Sequence, residues 1–453
     1  GFLTTTTSFS AFSGLTFSCP ASFLRPPHPL AKKRRRENKH NTLITAFIHT
    51  APLRPSLACI CWITPRFFPI RGVLNKHKTN SRQCPSQRFT LYIHCLILYN
   101  RRTSLNKKWG NPLEQQTSAR IDYLDLLKGV GIFLVVWGHT MTPRSVWIYS
   151  FHMPLFFFLS GIVHKNKPWK DFFLGKLNRL YIPYAIFSFL SWLFYLGLII
   201  CQEKPAQLQN HLPKIMSVLN GIANNGGNDS IWYLTCLLLV GIFYWFLRRF
   251  LPDPRLLPIT IVCSSLIGYR LGILRITLPF KAEVAFTGLV FYYLGHLSLE
   301  TGLLQKVNKI KPTLLVIFIL IAIPLQVFLA RLNVAISPGI SKVALISNRL
   351  GNYFLFYAAA LLAIFYLILI AQRIGYSKVW NYLGQNSLLI LAVHKPLFSL
   401  FQLIFGPRVT SHWLYGITAS IAVLLISLPL IKLSNRYLPF LVGKKPLLKY
   451  KTA

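Results

Sequence analysis

The sequence predicts an all-α, polytopic membrane protein with about ten transmembrane helices, and three observations lead there. Of its 453 residues, 53% are hydrophobic and only 13% charged, and mean hydropathy is positive, a composition of integral membrane chains. Beyond residue 120 the apolar residues gather into runs of about twenty, the length a helix needs to cross a hydrocarbon core of about 30 Å. No internal repeat and no strand-like alternation is present, which leaves a helical bundle as the spanning solution that satisfies its own backbone.

The runs fall near 123–142, 147–164, 180–200, 231–247, 256–274, 284–299, 313–330, 353–371, 386–405 and 414–433. The short segment Thr142-Pro-Arg-Ser-Val146 joins the first two into a tight hairpin. Pro258 sits near the start of the fifth, Arg270 and Arg275 mark the boundary of the fifth and sixth, and Pro324 and Pro396 fall inside the seventh and ninth. With the first span starting inside, the gaps assigned to the cytoplasm hold 18 Lys and Arg, tail included, against 10 outside. The positive-inside rule therefore puts both termini in the cytoplasm. The expected location is the cell (plasma or inner) membrane.

The formal net charge is +40. One continuous basic stripe would suggest nucleic acid, but from residue 120 onward the cations lie in short clusters between apolar runs, as membrane loops do. Residues 1–115 differ from the rest: they hold 18 of the 50 Lys and Arg, only Glu37 and Glu114 as acids, five of the eight Cys, and no clear span. They read as a basic N-terminal extension, disordered or non-functional, with the acid-poor composition of a transit peptide and a Lys32–Arg36 tract suited to an anionic surface or nuclear targeting. Cys59-x-Cys61 lacks a partner pair at zinc spacing, so no metal site is expected. Cys236 and Cys263, inside apolar runs, read as small buried hydrophobes. Residues 118–440 form the membrane domain and 441–453 a basic cytoplasmic tail.

The carboxylates of residues 120–453 number eight, all in expected loops or near span ends, which disfavours a carboxylate proton relay through the membrane. Histidines enter the spans instead: His139, His152, His296 and His394. Ionisable side chains in hydrocarbon are costly and usually face a cavity or a partner, and imidazole exchanges protons near neutral pH. In the first span, Asp125-Leu-Leu-Lys-Gly-Val-Gly-Ile-Phe-Leu-Val-Val-Trp-Gly-His139, the step from Lys128 to His139 is eleven residues. They turn about 1100° and rise about 16 Å, which sets both side chains on one face. Gly129 and Gly131 between them permit close helix approach. Lys128 also has a simpler role available, snorkelling to headgroups or pairing with Asp125. His296 reads best as a buried, bonded histidine. His139 and His152 fall at the outer ends of the hairpin, near one mouth.

These residues fall in ordered motifs: Arg120-Ile-Asp-Tyr-Leu-Asp-Leu-Leu-Lys-Gly129 with Val135-Val-Trp-Gly-His139, Tyr149-Ser-Phe-His-Met-Pro-Leu-Phe-Phe-Phe-Leu-Ser-Gly161, Lys176-Leu-Asn-Arg-Leu-Tyr-Ile-Pro-Tyr184, Ile231-Trp-Tyr-Leu234 and Asn386-Ser-Leu-Leu-Ile-Leu-Ala-Val-His394. With them, residues 118–440 resemble the acyltransferase-3 family of membrane O-acyltransferases, and within it the fucose 4-O-acetylase-like branch. The family pattern pairs a basic residue, most often arginine, with a histidine after ten intervening residues. Lys128 and His139 occupy those positions, and the lysine keeps the charge without bidentate phosphate binding.

The resemblance implies transfer of an acyl group, usually acetyl from acetyl-CoA, to a sugar hydroxyl of a cell-surface glycan or its lipid-linked precursor. It implies His139 as the catalytic group, with Lys128, Lys176 and Arg179 attracting the anionic donor, and Asp125, His152 and His394 as further candidates. The expected partners are acyl-CoA, the saccharide acceptor and membrane lipids, with no nucleic acid and no permanently bound cofactor. The competing reading is a non-enzymatic polysaccharide or lipid translocator, with helices broken at Pro324 and Pro396.

Two outcomes test this reading. A chain starting near Ser118 is expected to fold and keep activity, and loss of both would show that the extension belongs to the working protein. Single-cysteine labelling is expected to place residue 145 outside and residue 167 inside, and labelling of both from one side would overturn the hairpin.

Overall fold

The computed structural model describes residues 121–140, 145–203, 205–216, 221, 228–251, 253–307, 310–405 and 413–448. The extension 1–115, with its Cys59-x-Cys61, hairpin residues 141–144 and tail residues 449–453 lie outside this set. Among the described residues the chain is helical without a strand, apart from one isolated bridge between Ala344 and Arg349. Its main helices are α1 (Asp122–Gly138), α2 (His152–Ile162), α3 (Ile182–Cys201), α4 (Trp232–Phe250), α5 (Leu256–Ile273), α6 (Ala282–Glu300), α7 (Pro312–Ala335), α8 (Tyr353–Ile374), α9 (Lys378–Gln385), α10 (Ser387–Phe405) and α11 (Trp413–Tyr437).

Each apolar run coincides with helix, yet seven helical stretches, those containing α3, α4, α5, α7, α8, α10 and α11, are long and apolar enough to cross a membrane. The other three runs differ for physical reasons. α1 has 17 residues, about 26 Å of rise. The second run bends at Ser150–Phe151 and splits into Val146–Tyr149 and α2. α6 has 19 residues but carries Glu283, His296 and Glu300. Pro324 and Pro396 both lie inside continuous helices, so the broken helices of a translocator are not formed there. Four α-helices lie outside the runs because they are too short or too polar to span: Trp169–Lys176, Pro205–His211, Leu303–Val307 and α9.

Two glycine crossings set the core. A Cβ at Gly129 of α1 would overlap the carbonyl oxygen of Trp380, and one at Gly384 of α9 would overlap that of Asp125. The second crossing is equally reciprocal, with Gly161 of α2 against the carbonyl of Tyr292 and Gly295 of α6 against that of Phe158. Small residues at such points let backbones touch where lipid supplies no hydrophobic drive.

Buried amides then fix the ends. Asn381 donates to the Asp122 carbonyl at 2.8 Å, joining α9 to the start of α1. Asn386 accepts from Asn435 at 3.0 Å and from Lys444 at 2.8 Å. Asn178, in a π turn at Leu177–Tyr181, donates to Leu448 O at 3.0 Å and accepts from the Leu447 and Leu448 amides, each at 2.8 Å. The start of α1, α9, the π turn and the C-terminal segment therefore share one end of the bundle. On α7, Gln326 is fully buried and donates to Ser150 Oγ at 2.8 Å, holding the bend before α2. The outer surface is apolar, as Leu320 (67% exposed), Phe354 (77%) and Ile404 (72%) illustrate. Cys236 is buried as expected, but Cys263 is exposed, on an apolar outer face of α5 beside Val262 and Ile267. In a membrane helix an apolar residue need not be a core residue.

The crossings make a testable demand. Gly161→Val is expected to cost about 1–3 kcal/mol or more by overpacking, read as a lower Tm in detergent, whereas Gly197→Ala in α3, where a Cβ meets nothing within 4 Å, leaves Tm unchanged or slightly raised. Equal stability of the two variants would contradict the crossing.

Candidate functional site

A cavity of about 280 Å³ opens where α1 ends and α2 begins, lined among others by His139, Tyr149, His152, Asp229, Ser230, Lys342 and Lys395. His139 caps α1 with helical backbone (φ −84°, ψ −7°), and its Nδ1 lies 2.8 Å from the Val135 carbonyl one turn back. His152 repeats the arrangement with Ile148 O at 2.8 Å, and His394 of α10 with Ile390 O at 3.0 Å. A carbonyl only accepts, so each Nδ1 carries the hydrogen and the neutral ring keeps its lone pair on Nε2. His139 and His152, which line the cavity, thus offer Nε2 as a base without carboxylate help.

The rings form one group. His139 and His394 have centroids 5.1 Å apart, and Tyr149 stands edge-on to His139 at 6.2 Å and to His152 at 5.0 Å. The Tyr149 hydroxyl donates to the Gly138 carbonyl at 3.2 Å, closing the end of α1 onto the bend. His394 is fully buried behind His139, and its Nε2 lies 3.3 Å from Ser230 Oγ, which donates to it. This is not a Ser-His-acid triad, because the other nitrogen of His394 is held by a carbonyl and not a carboxylate. Asp229 instead pairs with Lys395 at 2.8 Å. Asn228, fully buried, donates to Ala392 O at 2.7 Å and Ser191 Oγ at 3.0 Å, pinning the Asp229–Ser230 segment to α10 and α3.

The loop between α7 and α8 covers this end and supplies Lys342, whose Nζ stands 3.9 Å from the centroid of the Tyr149 ring. Burial and then the neighbouring Lys395 charge hold the Lys342 ammonium below the usual lysine pKa.

A second cavity, of about 340 Å³, lies towards the other end of α2, lined by Ser160, His164, Lys165, Lys167, Lys176 and Arg179 among others. Met153 lines the first cavity and Ser160 the second, a separation of about 10 Å along the helix. Phe157 and Tyr233, with ring centroids 5.1 Å apart, fall between the two linings on their helices. Lys176 Nζ lies 5.6 Å from the ring centroids of both Phe172 and Tyr292, and Arg179 is exposed in the π turn. Beside it His164 bonds Tyr292 Oη at 2.9 Å, and His296 bonds the Tyr244 hydroxyl at 2.8 Å.

The structure thus brings His139, His152 and His394 together and sets Lys176 with Arg179 at the other end of α2. Lys128 joins neither group: it lines neither cavity and contacts Asp125, itself buried, at 3.4 Å. Sequence reasoning missed Tyr149, Ser230, Asp229, Lys342 and Lys395 as cavity residues. Three of them carried a local signal, since Tyr149 opens the Tyr149–Gly161 motif, Ser230 precedes the Ile231–Leu234 motif and Lys395 follows His394 directly. Lys342 carried none, because only the α7–α8 loop fold brings it to Tyr149.

A family model described as an acyltransferase domain, acyltransferase-3, matches residues 121–432, a range that spans α1 to α10 and all but the end of α11. No curated protein and no solved structure matches the chain. The matched range covers most of the chain and contains both cavities, set in a bundle with seven membrane-length helices. The chain belongs to the acyltransferase-3 family and is a multi-pass membrane acyltransferase.

Proposed function

We propose that the protein transfers an acyl group, acetyl in the first instance, from acyl-CoA to a sugar hydroxyl of a cell-surface glycan or its lipid-linked precursor, as in the fucose 4-O-acetylase-like branch. The observation that carries this reading is the cluster of imidazoles at one end of the bundle: His139 and His152 line the cavity with Nδ1 held by a backbone carbonyl and Nε2 left as base, and His394 packs behind His139. His139 lines the cavity with Nε2 available to take the acceptor hydroxyl's proton. The oxygen attacks the thioester carbonyl carbon, the C–S bond breaks, and the thiolate leaves with the proton returned from the imidazole. His394, with Ser230, packs behind His139 and fixes its ring. His152 also lines the cavity and orients the acceptor.

The donor's phosphates suit the other cavity, where Lys165, Lys167, Lys176 and Arg179 supply positive charge. We place that end in the cytoplasm, in agreement with the charge bias of the loops, with the acyl arm reaching His139 past the Phe157–Tyr233 layer. Lys128, tied to Asp125, acts on the donor through its charge and on α1 through the ion pair. A covalent acyl group on Ser230 is the less favoured route, because no carboxylate orients the His394 base.

With purified protein and acetyl-CoA, His139→Ala is expected to lower turnover by about 10²–10⁴-fold, the usual share of acid–base catalysis. Ser230→Ala is expected to keep most of it, and a loss equal to that of His139→Ala would move the reaction to the covalent route. Lys176→Gln and Arg179→Gln are expected to raise the KM for acyl-CoA with kcat little changed. Lys128→Arg is expected to retain activity and Lys128→Ala to raise KM less than Lys176→Gln. Full activity of His139→Ala in folded protein would leave the histidine a structural role.

A further inference from the structure

We infer that the acceptor carries an anionic group, a carboxylate or a phosphate, which seats against Lys342 at the mouth of the His139 cavity. This rests on the acyl-transfer reading but concerns which saccharide the site admits. The first support is charge balance. The cavity lining holds two lysines and one carboxylate, and that carboxylate, Asp229, is taken by Lys395 at 2.8 Å. Among the described residues no carboxylate forms an ion pair with Lys342. Its ammonium is half-buried over the face of Tyr149. A cation–π contact attracts the ammonium without neutralising its charge, which an anion would do through charge-assisted hydrogen bonds.

The second support is that Lys342 is held in place. Val343 (2% exposed), Leu345 (5%) and Leu350 (1%) plug the α7–α8 loop into the core. Asn348 lies in the left-handed region at φ 51°. It donates to Gly268 O at 2.6 Å and Glu283 O at 3.1 Å, and accepts from Thr287 Oγ1 at 3.0 Å. Asn333 donates to Leu350 O at 2.8 Å from the other side. A long, mobile lysine on a free loop would serve solubility. One carried on a loop anchored into α5, α6 and α7, beside two candidate bases, is placed for recognition.

Distance fixes where the anion belongs. Lys342 Nζ is 3.9 Å from the Tyr149 ring centroid, and that centroid is 6.2 Å from the His139 ring, which together cap the separation at about 10 Å. One sugar residue fits between, with its hydroxyl at His139 and its acidic substituent at Lys342. The ion-paired Lys395 keeps the inner wall neutral, so the anion is drawn to the mouth and not to the imidazoles.

The test uses the full chain in non-ionic detergent, where no lipid phosphate competes, with glucuronate, glucose 6-phosphate and glucose as probes. Binding is read by intrinsic tryptophan fluorescence, for which Trp232 lines the cavity, and transfer by CoA release. Both acidic probes are expected to bind more tightly than glucose. Lys342→Gln should weaken both about tenfold and leave glucose unchanged, with Lys342→Arg restoring the preference. A phosphate-only or carboxylate-only response identifies the anion within the same proposal. Equal binding of the three probes by the unaltered protein, or equal weakening of all three by Lys342→Gln, overturns it. Because binding is read without turnover, CoA release to glucose alone would overturn the anion site while leaving acyl transfer standing. Anion binding without CoA release to any probe would support the site and count against acyl transfer.

Discussion

Backbone contact at the two glycine crossings is the constraint on which the rest of the molecule depends. Gly129 against Trp380 and Gly384 against Asp125 press α1 onto α9, and Gly161 with Gly295 do the same for α2 and α6. In lipid there is no hydrophobic drive between helices, so association rests on close packing and interhelical hydrogen bonds. The two helices fixed most tightly, α1 and α2, are those that present His139 and His152. Both fall short of a full apolar span, and their position comes from neighbours rather than from lipid.

The same geometry divides the chemistry between two ends of one helix. At the start of α2 the cations are nearly balanced: Lys395 meets Asp229, and three imidazoles have their tautomers set by backbone carbonyls four residues back. At its end, four basic residues line a cavity with Asp171 as the only acid in the lining. The cation-rich lining and the nearly balanced one present different fields, and about 10 Å of helix keeps them apart. Phe157 and Tyr233 fall between the two linings, with ring centroids 5.1 Å apart.

Much of this was legible in the sequence. Apolar runs located all the main helices except α9, because hydropathy reports the need to be out of water. They overstated how many helices are long and apolar enough to cross, because hydropathy does not report a bend such as that at Ser150–Phe151 or the polar load of α6. Three of the four span histidines, His139, His152 and His394, gather at one end of the bundle, since a titratable ring in hydrocarbon needs a partner, while His296 sits apart, bonded to Tyr244. Helical arithmetic put Lys128 and His139 on one face, yet a shared face does not make a shared site, and Lys128 turned to Asp125 three residues away. Lys342 was invisible because its role depends on a loop pinned by Asn348 and Asn333, contacts spanning up to 80 residues of sequence. The fate of Cys263 shows the limit of reading apolar as buried when the solvent is itself apolar.

The central claim is that this bundle moves an acyl group and not a saccharide. The most direct measurement reconstitutes the full chain in vesicles with isotopically labelled acetyl-CoA and an oligosaccharide acceptor, then weighs the acceptor by mass spectrometry. The account predicts an acceptor heavier by one labelled acetyl group for each CoA released. An acceptor that crosses the bilayer with its mass unchanged, while the thioester stays intact, would contradict it.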